Sequence, residues 1–99
     1  MGWAEGYIEE LVNGHTVKFR PVGHSMSGKV EHKDLVTVQP TTLSSIKAGD
    51  IVLCKVNGKE YLHLVKAKGQ DGRVLIGNNK GRENGWTRAV FGKLIKVEK

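Results

Sequence analysis

Apolar side chains recur at Tyr7, Ile8, Leu11 and Val12, the spacing of one face of a helix. Asn13-Gly14 follows, and both residue types tolerate the left-handed conformation that ends helices. The pattern predicts a short amphipathic helix that stops at this pair. Beyond it the period drops to two. His15 to Arg20 alternates and is closed by Pro21, and Leu35 to Gln39 is closed by Pro40. Asp50 to Val56 and Lys59 to Val65 flank Asn57-Gly58, a strong hairpin turn. Arg73 to Ile76 follows the turn Gln70-Asp71-Gly72, and Ala89 to Val97 reads as a closing strand. The glycine- and asparagine-rich stretch 77–85, ending at Trp86, reads as a loop. Six short strands joined by turns predict a mainly β fold: a small, antiparallel, partly barrel-like domain with a short N-terminal helix.

Composition narrows the class. Ninety-nine residues suit one domain, spanning 1–99. The 38% hydrophobic and 26% charged content is that of an ordinary globular domain. No apolar run approaches the ~20 residues of a membrane span, and Met1 to Gly6 has no basic stretch leading into an apolar one, so neither an anchor nor a secretory signal is expected. The lone Cys54 lies in the run Ile51-Val52-Leu53-Cys54 and reads as a small buried hydrophobe. These features together predict a cytoplasmic setting. The net charge of +6 raises nucleic acid as a partner, but the bases are scattered and no aromatic stacking pair is evident. Nucleic-acid binding is therefore not expected. Four histidines and one cysteine show no metal-ligand spacing, and no metal or other cofactor is expected.

Specific chemistry enters with the loop Val22-Gly23-His24-Ser25-Met26-Ser27-Gly28. A nucleophilic serine needs an exposed hydroxyl, a backbone that can bend around it, and a nearby base. Ser25, between two strands and close to Gly23, answers the first two needs. A base is available in the returning strand of the hairpin. There Tyr61, His63 and Val65 share one face, and Leu62, Leu64 and Lys66 share the other. At most one of His63 and Lys66 can face Ser25. A neutral imidazole accepts a proton near neutral pH, whereas a lysine needs a large pKa depression by burial. His63 is the better candidate. His24 reads as a surface or substrate-facing neighbour of Ser25, and Trp86 as packing across an end of the barrel.

Five short segments, in order, carry a resemblance. Gly23-His24-Ser25-Met26, Lys33-Asp34-Leu35-Val36-Thr37-Val38 and Ala48-Gly49-Asp50-Ile51-Val52 resemble the Ser-Met box and the two Gly-Asp strand entries of the signal-peptidase and LexA-type serine peptidases. Tyr61 to Val65 is similar to the segment that supplies their base. Ile76-Gly77-Asn78-Asn79 with Val90 to Leu94 resembles their Gly-Asp-Asn box and closing Gly-Lys strand. The resemblance covers about residues 14 to 97. It implies a β-rich peptidase that cuts peptide bonds through Ser25 and a base, of the variant with histidine, His63, in place of lysine. It also implies an oxyanion and substrate loop formed by Gly23, His24 and Met26, and a peptide or protein substrate.

The chain departs from that pattern at several points. No proline follows the Ser-Met pair at the usual distance. The first Gly-Asp reads Lys33-Asp34, and the Gly-Asp-Asn box reads Gly77-Asn78-Asn79. The histidine-type enzymes place an acid beyond that box; here the nearest is Glu83, beside Asn84. Two functions follow as expectations: a serine endopeptidase working through a Ser25–His63 dyad with Glu83 as the orienting residue, or a non-catalytic peptide- or protein-binding module on the same fold.

Overall fold

The computed structural model describes residues 2–22, 26 and 28–99. Helix α1 runs over Glu5–Val12 and buries Ile8 and Leu11. It ends as Asn13-Gly14 predicts: Gly14 stands at φ +89°, its N–H donates to the Leu11 carbonyl, and the His15 N–H donates to that of Glu10. This pair of bonds satisfies the carbonyls that the last turn leaves open.

Strands β1 (Val17–Phe19), β2 (Leu35–Pro40), β3 (Ile51–Val56), β4 (Lys59–Lys68), β5 (Val74–Gly77), β6 (Glu83–Thr87) and β7 (Val90–Glu98) form one sheet in the order β1-β2-β7-β3-β4-β5-β6. Every pairing is antiparallel. The fold is mainly β, as the period-two segments predict. Helix α1 packs on β1, β2 and β7, where a methyl on Gly92 would come within 2.8 Å of Leu11 and 2.5 Å of Val38. Gly92 is what lets the helix and the sheet approach so closely.

β3 sits mid-sheet and is covered on both faces. Leu53 packs with Ile8, Leu11, Val36, Val38 and Leu62 in one cluster, while Val52 and Cys54 join Val65, Val74, Ile76 and Val90 in the other. A strand covered on both sides reads in sequence as an unbroken apolar run, which is why residues 51–54 show little alternation. Burial pushes the Cys54 thiol up to about 12, so it stays protonated and inert at neutral pH.

The strand count differs from the sequence reading. Residues 83–87 form β6, paired with β5 in the register Val74↔Thr87, Leu75↔Trp86 and Ile76↔Gly85. Asn84 and Gly85 are poor strand formers, and the ready-made edge of β5 overrides their preference. The sheet then curls, and Thr87 Oγ1 donates to the Lys55 carbonyl on β3 at 2.6 Å. This return of β6 onto β3 gives the barrel-like closure. Trp86 stays 43% exposed, with its ring against the turn at Gly69.

Two turns of the same design lead into β2 and β3. The Asp34 N–H donates to the Glu31 carbonyl while its Oδ2 accepts from the Glu31 N–H; Asp50 does the same with Lys47. Each aspartate also pairs with a lysine of the C-terminal segment, Asp34 with Lys99 at 3.0 Å and Asp50 with Lys93 at 3.6 Å. The Glu31 amide and the Lys99 ammonium hold the Asp34 carboxyl below its ordinary pKa.

Candidate active site

His63 lies in β4 opposite Val52 of β3. The alternation read from the sequence holds through this stretch: Leu62 and Leu64 join the core beneath α1, while Tyr61 and Val65 join the other cluster. His63 is 8% exposed, and its ring lies 4.9 Å from that of Tyr61. Its Nδ1 is 2.7 Å from Oδ1 of Asn84. With an amide oxygen as acceptor, Nδ1 carries the proton and the lone pair falls on Nε2. Burial lowers the His63 pKa, against a smaller upward pull from the Asn84 bond. The ring is therefore neutral at neutral pH, the form that a general base requires.

The Asn84 contact depends on an irregularity in the sheet. Ile76 pairs with Gly85 and Gly77 with Glu83, which leaves Asn84 as the extra residue of a β-bulge. A bulge re-aims a side chain, and here it turns Asn84 toward β4 across β5. The bulge forms beside Gly77, where a methyl would come within 2.5 Å of the Arg82 carbonyl. The residue that meets His63 Nδ1 here is Asn84, next in the chain to Glu83, the residue expected to orient the ring. Glu83 is exposed, because the extra residue gives the inward direction to its neighbour. Lys66 occupies a second bulge, between the pairs Val65↔Ile76 and Ala67↔Leu75, and its aliphatic chain lies against Gly77.

Gly23, His24 and Ser25 lie outside the described residues; Met26 lies within them. It is buried with the helix-side core, and its carbonyl accepts from the N–H groups of Lys29 and Val30. The stretch that follows is tightly bonded. Glu31 Oε2 accepts from the Gly28 N–H, the Lys33 N–H donates to the Pro21 carbonyl at 2.8 Å, and Arg20 Nη1 donates to the Lys33 carbonyl at 2.9 Å. Asn78 organises the loop between β5 and β6: its Oδ1 accepts from the N–H groups of Lys80 and Arg82. Asn79 reaches the other way, and a methyl on Gly28 would stand 3.3 Å from its amide nitrogen. The Gly-Asn-Asn segment thus abuts the end of the Ser-Met loop.

His63 lines a cleft of about 490 Å³ together with Val22 and Met26, the described residues on either side of the Ser25 segment. The far wall comes from the N-terminal segment and β1. Phe19 stacks on Tyr7 with ring centroids 4.4 Å apart, and Trp3 lies 5.8 Å from Phe19. The wall is tied to β4 by Glu60, whose Oε1 accepts from the Ala4 N–H at 2.7 Å and whose carbonyl accepts from Trp3 Nε1 at 3.3 Å. The sequence reading had no sign of this aromatic wall, since Trp3 precedes the periodic segments and meets Phe19 only in the folded chain.

Residues 6–88 match the family model described as Peptidase S24-like. The chain belongs to the Peptidase S24-like family. The match runs from α1 through β6 and takes in the Ser-Met loop, His63 and Asn84. The resemblance to LexA-type peptidases drawn from the five segments thereby holds. No curated protein matches the chain. Among the described residues, no helix is long and apolar enough to cross a membrane.

Proposed function

We propose that this Peptidase S24-like domain is a serine peptidase in which Ser25 is the nucleophile and His63 the general base. The reading is supported above all by His63, a buried, neutral imidazole whose Nδ1 is held by Asn84 and whose ring borders the cleft that Val22 and Met26 also line. In the proposed reaction Nε2 of His63 removes the Ser25 hydroxyl proton as Oγ attacks the scissile carbonyl. The C–N bond then breaks, and the same proton passes from His63 to the departing amine. Water, activated by His63, hydrolyses the acyl-enzyme. Backbone amides of the Gly23–Met26 loop, that of Ser25 included, would stabilise the oxyanion.

Asn84 shapes this chemistry. Its oxygen keeps the productive tautomer, but a neutral amide stabilises an imidazolium less than a carboxylate does. That neutrality also favours a second reading, in which the domain binds a peptide without cutting it. The two are separated by a serine-directed phosphonate. Covalent labelling of Ser25, absent in Ser25→Ala and strongly slowed in His63→Ala, is the result expected of a peptidase. A folded protein that binds peptide but takes up no label is a binding module.

A further inference from the structure

Resting on the peptidase reading, we propose that the cleft beside His63 selects peptides by a bulky apolar side chain, preferably aromatic, seated between Trp3, Phe19 and Met26. Three observations lead there. The wall contributed by Trp3, Tyr7 and Phe19 is aromatic, and the floor contributed by Met26, Val30 and Leu62 is aliphatic. The volume, about 490 Å³, exceeds what a small side chain fills and lies in the range of sites that enclose whole ligand groups.

The third observation concerns the charged residues and the indole N–H of the same cleft, each of which already holds a hydrogen bond within the protein. Arg20 is bonded to the Lys33 carbonyl, Glu31 to the Gly28 N–H, Glu60 to the Ala4 N–H, and the Trp3 indole N–H to the Glu60 carbonyl. A charged or amide side chain entering the cleft would lose water and compete with these bonds for partners. An apolar one loses nothing, and it covers Trp3 and Val22, which are 53% and 74% exposed. Both side chains border the cleft, so an apolar occupant would take their exposed surface out of water. His63 on the same cleft puts the occupant next to the bond to be cut.

The chain has two tryptophans, and Trp86 does not line the cleft. A Ser25→Ala, Trp86→Phe protein therefore reports on Trp3 alone. Blocked tetrapeptides that differ at one position, with Phe, Ala, Lys or Glu, are titrated against it while Trp3 fluorescence is followed. The Phe peptide is expected to give a saturable change at a concentration at least about tenfold below that of the Ala peptide, the scale of discrimination that an apolar pocket supplies. Val22→Asp, at an exposed rim position, is expected to weaken the Phe peptide about tenfold by placing a charge at the mouth. Equal affinity for all four peptides, a preference for Lys or Glu, or no saturable change with Phe would overturn the inference. The readout needs no cutting. If Ser25 proves unreactive, the pocket can still be selective; if Ser25 reacts but no aromatic preference is found, this inference alone falls.

Discussion

Nδ1 of His63 and Oδ1 of Asn84 meet at 2.7 Å although their strands, β4 and β6, are not neighbours in the sheet. The contact spans β5 because the bulge at Asn84 turns its side chain toward β4. The tautomer and ring orientation that this bond favours in the candidate base thus depend on one sheet irregularity.

Burial dominates the His63 pKa and lowers it. The folded pKa lies below the ordinary value of about 6.5, so the unfolded chain binds a proton first as pH falls. Stability is expected to be full above that ordinary value and to decline below it, down to the folded pKa. The acid limb of any peptidase activity should also lie below it. Titrating the His63 ring by NMR and the stability by urea between pH 4 and 8 checks both. A His63 that titrates above the ordinary value would contradict the burial argument.

Asn84→Asp sets a carboxylate beside Nδ1. An opposite charge at hydrogen-bond distance favours the imidazolium, so the His63 pKa should rise, and the acid limb should move up with it. Asn84→Ala removes the acceptor. It is expected to lower the rate of Ser25 labelling by about one to two orders of magnitude, a part of the roughly 10²–10⁴-fold that positioned proton transfer contributes, with peptide affinity little changed. Loss of affinity in step with rate would assign Asn84 a binding role.

Lys33 holds φ +65°, and Gly49, at the matching place before the second Asp turn, holds φ +97°. Lys33→Gly is expected to stabilise the fold by about 0.5–1 kcal/mol, the left-handed strain relieved less the added freedom of the unfolded chain. Gly49→Ala, which has open space but the wrong φ, should destabilise by about 1–2 kcal/mol. Urea midpoints at constant slope measure both.

Gly77→Ala would push a methyl to 2.5 Å from the Arg82 carbonyl and 2.8 Å from Lys66 Cε. The lysine end can move, but the carbonyl belongs to the loop that leads into the Asn84 bulge. A cost of about 1–3 kcal/mol is expected, with a changed His63 ring signal as its local signature. Gly92→Ala, against Val38 and Leu11, should cost a similar amount and leave the His63 signal in place.

Much of the fold was legible along the chain. The helical spacing at residues 7–12 with its Asn-Gly stop, the period-two segments, the Asn57-Gly58 hairpin and the unbroken apolar run of β3 are local patterns, and each appears where its pattern lies. The opposition of His63 to its neighbours Leu62 and Leu64 was equally legible, because alternation along one strand needs no knowledge of the next. β6 was not legible, since Asn84 and Gly85 carry no strand preference and are held by pairing with β5.

The sequence by itself therefore determined the elements other than β6, the family-like order of the motifs and the residue offered as a base. Tertiary structure alone decided the partner of that base and the character of the cleft. Glu83 and Asn84 are adjacent in the chain, and only the bulge selects which of them reaches His63. Trp3, Phe19 and Met26 are spread over 24 positions of sequence and become one surface only when α1 and β1 close over β4. Local patterns record what each segment prefers for itself, whereas a site is made from the distances between segments.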